Sequence, residues 1–177
     1  MEPLPDFGPL YTETNLERFP VEPFNTVSNL LFLAAAIYWA LQIKKQSNQQ
    51  FKSFLVISLP FLLVVYIGGT VYHATRAHFG WMLMDVLPIY FLGLLTAIYH
   101  WKLVGISFWK MLLVFVCLLV VPMAMMSWLA PDIYKSPNTP TLGYGILTLT
   151  VLLPLFLDQH RRGWKELKSM LIPLGLI

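Results

Sequence analysis

The chain has 177 residues, of which 57% are hydrophobic and only 12% charged, with a formal net charge of +3. Its Lys and Arg residues are scattered between apolar runs and form no basic patch, which argues against a nucleic-acid partner and makes them topology signals instead. The apolar residues come in runs of about twenty and none alternates with period 2, so the composition points to an all-α, polytopic membrane bundle whose backbone polar groups are satisfied within helices.

Residues 1–25 form an acidic, proline-rich segment, unlike the basic and then apolar pattern of a cleavable signal peptide. Residues 26–177 form the transmembrane domain. A first span covers 26–43 (TVSNLLFLAAAIYWALQI) and stops at KKQSNQQFK, and a second and third cover about 53–72 and 81–100. A fourth, about 106–129, ends before a loop with Pro131, Pro137 and Pro140. A fifth, about 142–157, carries Gly143 and Gly145, which would let a neighbouring helix come close. The stretch 170–177 is apolar but too short to cross a bilayer, so it reads as a surface segment or the start of a sixth span. Cys117, mid-span between Val116 and Leu118, supports neither a disulfide framework nor a CxxC metal site.

Alternate loops sort the positive charges. Lys44, Lys45, Lys52, Lys102, Lys110, Arg161, Arg162, Lys165 and Lys168 fall on one side, and only Arg18, Arg76 and Lys135 on the other. The positive-inside rule then makes this a multi-pass protein whose N-terminus, 73–80 loop and 131–140 loop are non-cytoplasmic.

That arrangement gathers unusual chemistry on one face. In GGTVYHATRAHFGWMLMDVLP, His73 closes the second span and Asp85 lies about a turn inside the third. Ionisable residues inside a span are costly and mark functional sites, usually with a partner nearby. A short loop joins the two helix ends, so imidazole and carboxylate can meet. Neutral imidazole suits zinc, and an adjacent carboxylate can orient it or act as a base. The same spacing equally serves a structural His–Asp hydrogen bond that pins two helices. At the start of the first span, EPFNTVSN places Asn25, Ser28 and Asn29 on one helix face. Asn25 or Thr26 reads as a helix cap, whereas Ser28 and Asn29 read as facing protein. Glu13, Glu17 and Glu22 just upstream offer hard oxygen ligands to a cation such as calcium, or are simply a solvated arm.

Taken together, EPFNTVSNLLFL and GGTVYHATRAHFGWMLMDVLPI resemble the alkaline ceramidase family, part of a superfamily of seven-helix membrane hydrolases that includes the progestin and adipoQ receptors. The resemblance covers the first three spans by motif and the rest by hydrophobic pattern. It implies a zinc ion held by a histidine at the end of the second helix and by an H-x-x-x-H pair on the last helix. His73 is then the first zinc ligand, and Asp85 the acid that helps activate water for attack on an amide carbonyl. The family's acidic N-terminal segment binds calcium, which nominates Glu22 first, then Glu17 and Glu13.

Three departures stand out. Gly69 occupies the position, four before the histidine, where the family has a serine, and Thr70 can substitute only if the helix end is distorted. The spacing from His73 to Asp85 is slightly longer than the family's. No H-x-x-x-H is present, since the other histidines are His78, His100 and His160, so the expectation is that the rest of the zinc site lies beyond Ile177.

The leading reading is a zinc-dependent amidase that cleaves a ceramide-type lipid amide to fatty acid and amine, with membrane lipids around it. The alternative is a non-catalytic, receptor-like or structural protein of the same fold. A small transporter ranks last, for want of an inverted repeat. Trp81, Trp101, Trp109 and Trp128 read as an interfacial belt, and His100 likewise. His160 reads as part of a charge cluster, and His78 is left open, an ordinary loop histidine or, as the lesser alternative, a stand-in second ligand.

Overall fold

The computed structural model describes residues 8–129 and 139–161. The expectations for Pro131, Lys135, Pro137, Arg162, Lys165, Lys168 and the stretch 170–177 lie outside those residues. The described chain is helical, without strands, and falls into two compact units, residues 1–92 and 93–177.

The first unit begins with an arm, residues 8–22, that leads into α1 (Pro23–Ser28) and α2 (Leu30–Lys45). Proline suits the first position of α1 because a helix leaves its first N–H groups unpaired. The cap comes from far upstream: Glu13 accepts the N–H groups of Phe24 (2.7 Å) and Asn25 (2.8 Å), placing a carboxylate at the positive end of the helix. Neither Asn25 nor Thr26 is therefore the cap, since both already lie inside the helix; Thr26 Oγ1 donates back to Glu22 O at 2.7 Å. Asn29 marks the junction of α1 and α2 and is buried, while Ser28 is exposed and bonds back to Asn25 O, so only one of the two faces protein.

A tight turn through Asn48, whose side chain accepts the Phe51 N–H at 3.1 Å, starts α3 (Gln49–Thr75), which packs against α1 and α2. Its core face carries Leu55, Leu62, Val65 and Tyr72. The helix ends at Arg76, a non-glycine residue in the left-handed region at φ 49° whose N–H closes on Tyr72 O at 2.7 Å. Such a conformation costs about 1–2 kcal/mol for an L-residue, so other contacts of Arg76 must hold it there. About two turns before the end of α3, a Cβ at Gly68 would come within 2.7 Å of the Met84 carbonyl carbon, so only glycine lets α3 approach α4 (Phe79–Val104) this closely.

The three stretches Pro23–Lys45, Gln49–Thr75 and Phe79–Val104 are each long and apolar enough to cross a membrane. They extend the expected spans by a few residues at each end because polar end residues still complete helical turns. Leu31, 73% exposed, and many other large apolar side chains point outward, as they do when lipid is the solvent.

In the second unit, the latter part of α4 is followed by Gly105 in a left-handed turn and then by α5 (Phe108–Phe115), a five-residue π-helical turn (Val116–Val120) and α6 (Val121–Leu129). After the undescribed stretch comes α7 (Thr139–Arg161), with Pro140 in its first turn, where proline is tolerated. Ala97, Trp101, Val104 and Met111 form the core, flanked by Ile98, Phe115 and Val151. Trp101 is thus a core residue, not part of an interfacial belt, because it lies on the packed side of α4; Trp109 and Trp128 are 75% and 82% exposed. The Arg161 guanidinium donates to the Val104 carbonyl at the end of α4. Gly93 packs on Leu147, but a Cβ at Gly145 would meet nothing within 4 Å, so among the described residues Gly145 makes no close helix approach.

Candidate functional site

The site lies where the arm crosses the end of α3. The last turn of any helix leaves carbonyl groups unpaired. Here Val21 N–H donates to Ala74 O and Glu22 N–H to His73 O, each at 3.0 Å, so the arm backbone satisfies them. This pairing drives Glu22 into full burial, and an ionised carboxylate there must be matched by donors.

Three side chains supply them. Glu22 Oε1 accepts from Thr14 Oγ1 (2.6 Å) and from the Arg76 guanidinium (2.6 Å), and Glu22 Oε2 faces His73 Nδ1 at 2.5 Å. Burial pushes the Glu22 carboxyl up. The hydrogen bonds of Thr14, His73 and Arg76, with the Arg76 charge, outweigh that and hold it below its ordinary value of 4.5. Glu22 is therefore an acceptor only, and His73 Nδ1 is the donor.

In a neutral ring that assignment puts the lone pair on Nε2. It points at Asp85 Oδ2 at 3.5 Å, close enough for an ion pair but beyond the ~2.7–3.2 Å of a good hydrogen bond. The ring is also braced by Tyr72 (centroids 4.8 Å apart) and Tyr11 (5.5 Å). A histidine fixed through one nitrogen by a carboxylate, with the other free of a tight bond, has the arrangement by which proteins orient a zinc ligand. The geometry at His73 fits one zinc-ligand position, and the Asp85 carboxylate lies beside its Nε2. Among the described residues no group of three or more His, Cys, Asp and Glu side chains could hold one metal ion.

Gly69, one turn before His73, shows why a serine is missing. A Cβ there would run into Asp85 Oδ1 and come within 2.9 Å of Asn29 Oδ1, so Asp85 and the buried Asn29 already fill that space. Thr70 lies three residues before His73 on an uninterrupted helix, and its buried Oγ1 has no hydrogen-bond partner. The helix shows no distortion that would bring Thr70 into the serine's position.

The remaining candidates are placed apart from this cluster. Glu13 is spent on capping α1, and Glu17 is exposed, its backbone N–H donating to Asn15 Oδ1 at 3.0 Å. With Glu22 turned to Arg76 and His73, the three carboxylates do not form the oxygen cage that calcium takes. His78 is exposed and its Nδ1 accepts Gly80 N–H at 2.9 Å, a local cap at the start of α4. Sequence reasoning missed Arg76 as a site residue. The signal was a lone arginine three residues after a helix-closing histidine, in a chain with few charges.

No curated protein and no solved structure matches the chain significantly. A family model described as Ceramidase matches residues 13–172, a stretch that holds Glu13, Glu22, His73, Arg76 and Asp85. A helical chain with three membrane-length apolar helices, a carboxylate-held histidine at a helix end and this match over nearly its whole length belongs to the ceramidase family.

Proposed function

We propose that the protein is a zinc-dependent membrane amidase that hydrolyses a linear, ceramide-type lipid amide to a fatty acid and an amine. The observation that carries this reading is His73, held at Nδ1 by Glu22 and presenting Nε2 to Asp85. Zinc, when bound, supplies Lewis-acid polarisation of the amide carbonyl. His73 would be one of its ligands, its ring turned by the Glu22 carboxylate at Nδ1. Asp85 takes the proton of the attacking water and returns it to the leaving amine nitrogen. The apolar outer surfaces of α2 and α3 offer the acyl chain a lipid-like environment.

The same reading takes residues 1–25 as a non-cytoplasmic segment and the rest as a multi-pass domain of five spans, α5 to α6 and α7 being the fourth and fifth. The charge distribution between loops supports that orientation.

The test is amide hydrolysis of a fluorescent ceramide, with zinc content by mass spectrometry, on the full chain in detergent. His73→Ala should lose both zinc and activity, and retention of both sinks the proposal. Gly69 in place of serine favours a second reading, a non-catalytic lipid-binding protein of the same fold. Tight retention of lipid by a zinc-free, inactive wild type would select it.

A further inference from the structure

We propose that Arg76 is a built-in cation that docks the N-terminal arm and, through Glu22, sets the ring of His73, so that arm docking needs no bound metal ion. The significance for His73 as a zinc ligand rests on the amidase reading; the docking itself does not.

The guanidinium gathers oxygen atoms as a hard cation does. Its Nη1 donates to Pro9 O at 2.8 Å and to Glu22 Oε1 at 2.6 Å, tying together the beginning and the end of the arm. Arg76 is 1% exposed and Glu22 is 0% exposed, so neither charge is screened by solvent. Tyr72 covers the guanidinium at 4.8 Å and Tyr11, from the arm, lies at 6.0 Å, so two ring faces lie against the charge.

The backbone is shaped for this role. The left-handed turn at Arg76 ends α3 and sends its side chain back beneath the arm rather than onward into the loop. Gly8 completes the fit, because a Cβ there would come within 2.9 Å of Arg76 Nη2. Arginine stays charged at every accessible pH, and its planar fork matches a carboxylate and a carbonyl at once. A covalently attached charge of this kind removes the need for a calcium ion at Glu22, whose oxygens already carry three donors.

Arg76 is a positioning residue in this scheme. It acts on His73 only through Glu22, which receives the guanidinium on Oε1 and the imidazole on Oε2. Loss of such outer partners typically lowers metal affinity about 10–100-fold.

The experiment is hydrogen exchange of the Val21 and Glu22 amides, which donate to Ala74 O and His73 O, on the full chain in detergent. Amides in the middle of α3 report on global folding. In wild type, exchange should be the same with a calcium chelator and with millimolar calcium. Arg76→Ala should speed these two amides at least tenfold while mid-α3 amides stay protected, and Arg76→Lys should recover part of the protection. Wild-type protection that collapses on chelation overturns the proposal, as does full protection in Arg76→Ala. If Arg76→Ala does not fold, the wild-type comparison and Arg76→Lys still decide. A second readout is zinc affinity, expected to drop about 10–100-fold in Arg76→Ala and to recover in part in Arg76→Lys. Docking that depends on Arg76 in a protein without amidase activity removes the amidase reading and leaves this one standing.

Discussion

His73 and Glu22, 51 positions apart, meet side chain to side chain at 2.5 Å inside the protein, Glu22 Oε2 accepting from the imidazole. One carboxylate therefore does two things. It neutralises a buried arginine and it fixes which ring nitrogen of His73 is left to act.

Replacing Glu22 with Gln should be costly. The amide keeps the shape but removes the charge that faces the buried Arg76, and breaking a buried pair costs about 3–5 kcal/mol. Thermal unfolding in detergent should show a clearly lowered midpoint. An unchanged midpoint would mean that the pair adds little.

The advantage of wild type over Glu22→Gln should depend on pH. The folded carboxyl lies below 4.5, so its contribution is fully present at neutral pH and disappears as pH falls from about 4.5 through the lower folded value. Unfolding midpoints of the two proteins, followed from pH 7 to pH 3, should converge at the acid end. A gap that stays constant would contradict an ionised Glu22.

Asp85→Asn should separate binding from chemistry. The substitution preserves size while removing the base, so zinc content should hold and amide hydrolysis should fall about 10²–10⁴-fold. Full activity in this variant would remove Asp85 from the mechanism.

Two glycines should respond oppositely to alanine. Gly69→Ala pushes a methyl group into Asp85 and Asn29 and should cost about 1–3 kcal/mol with loss of activity. Gly145→Ala, where the added carbon meets nothing within 4 Å, should be neutral or stabilise by up to about 1 kcal/mol. Paired melting curves would compare them.

Thr70→Val tests a hydroxyl with no hydrogen-bond partner among the described residues. A buried unsatisfied polar group costs about 1–3 kcal/mol, so removing it should leave stability unchanged or raised. If activity falls at the same time, Thr70 faces substrate.

The apolar runs revealed the first three membrane-length helices, because twenty consecutive apolar residues leave few alternatives. His73 and Asp85 were legible as neighbours for a similar reason: a short loop confines both helix ends. Glu22 was nominated as a calcium ligand, from its carboxylate and by resemblance, while its contacts with Thr14, His73 and Arg76 were hidden. Arg76 was counted merely as a loop charge, since its burial depends on the arm folding back over 54 positions to reach it. Trp101 misled because nearness to a span end says nothing about which side of the helix is packed. Gly145 shows that small residues permit close approach without producing it, since no described residue comes within 4 Å of a Cβ there.

The bond between Glu22 and Arg76 also keeps count of crossings. Between the two residues the chain runs out along α2 and returns along α3, so in the proposed topology, with both helices crossing the bilayer, the pair forms only when both passes are complete. In that topology a chain that failed to turn at Asn48 would strand Glu22 and Arg76 on opposite sides of the bilayer. The ion pair thus rewards an even number of passes, whichever way round the hairpin is inserted.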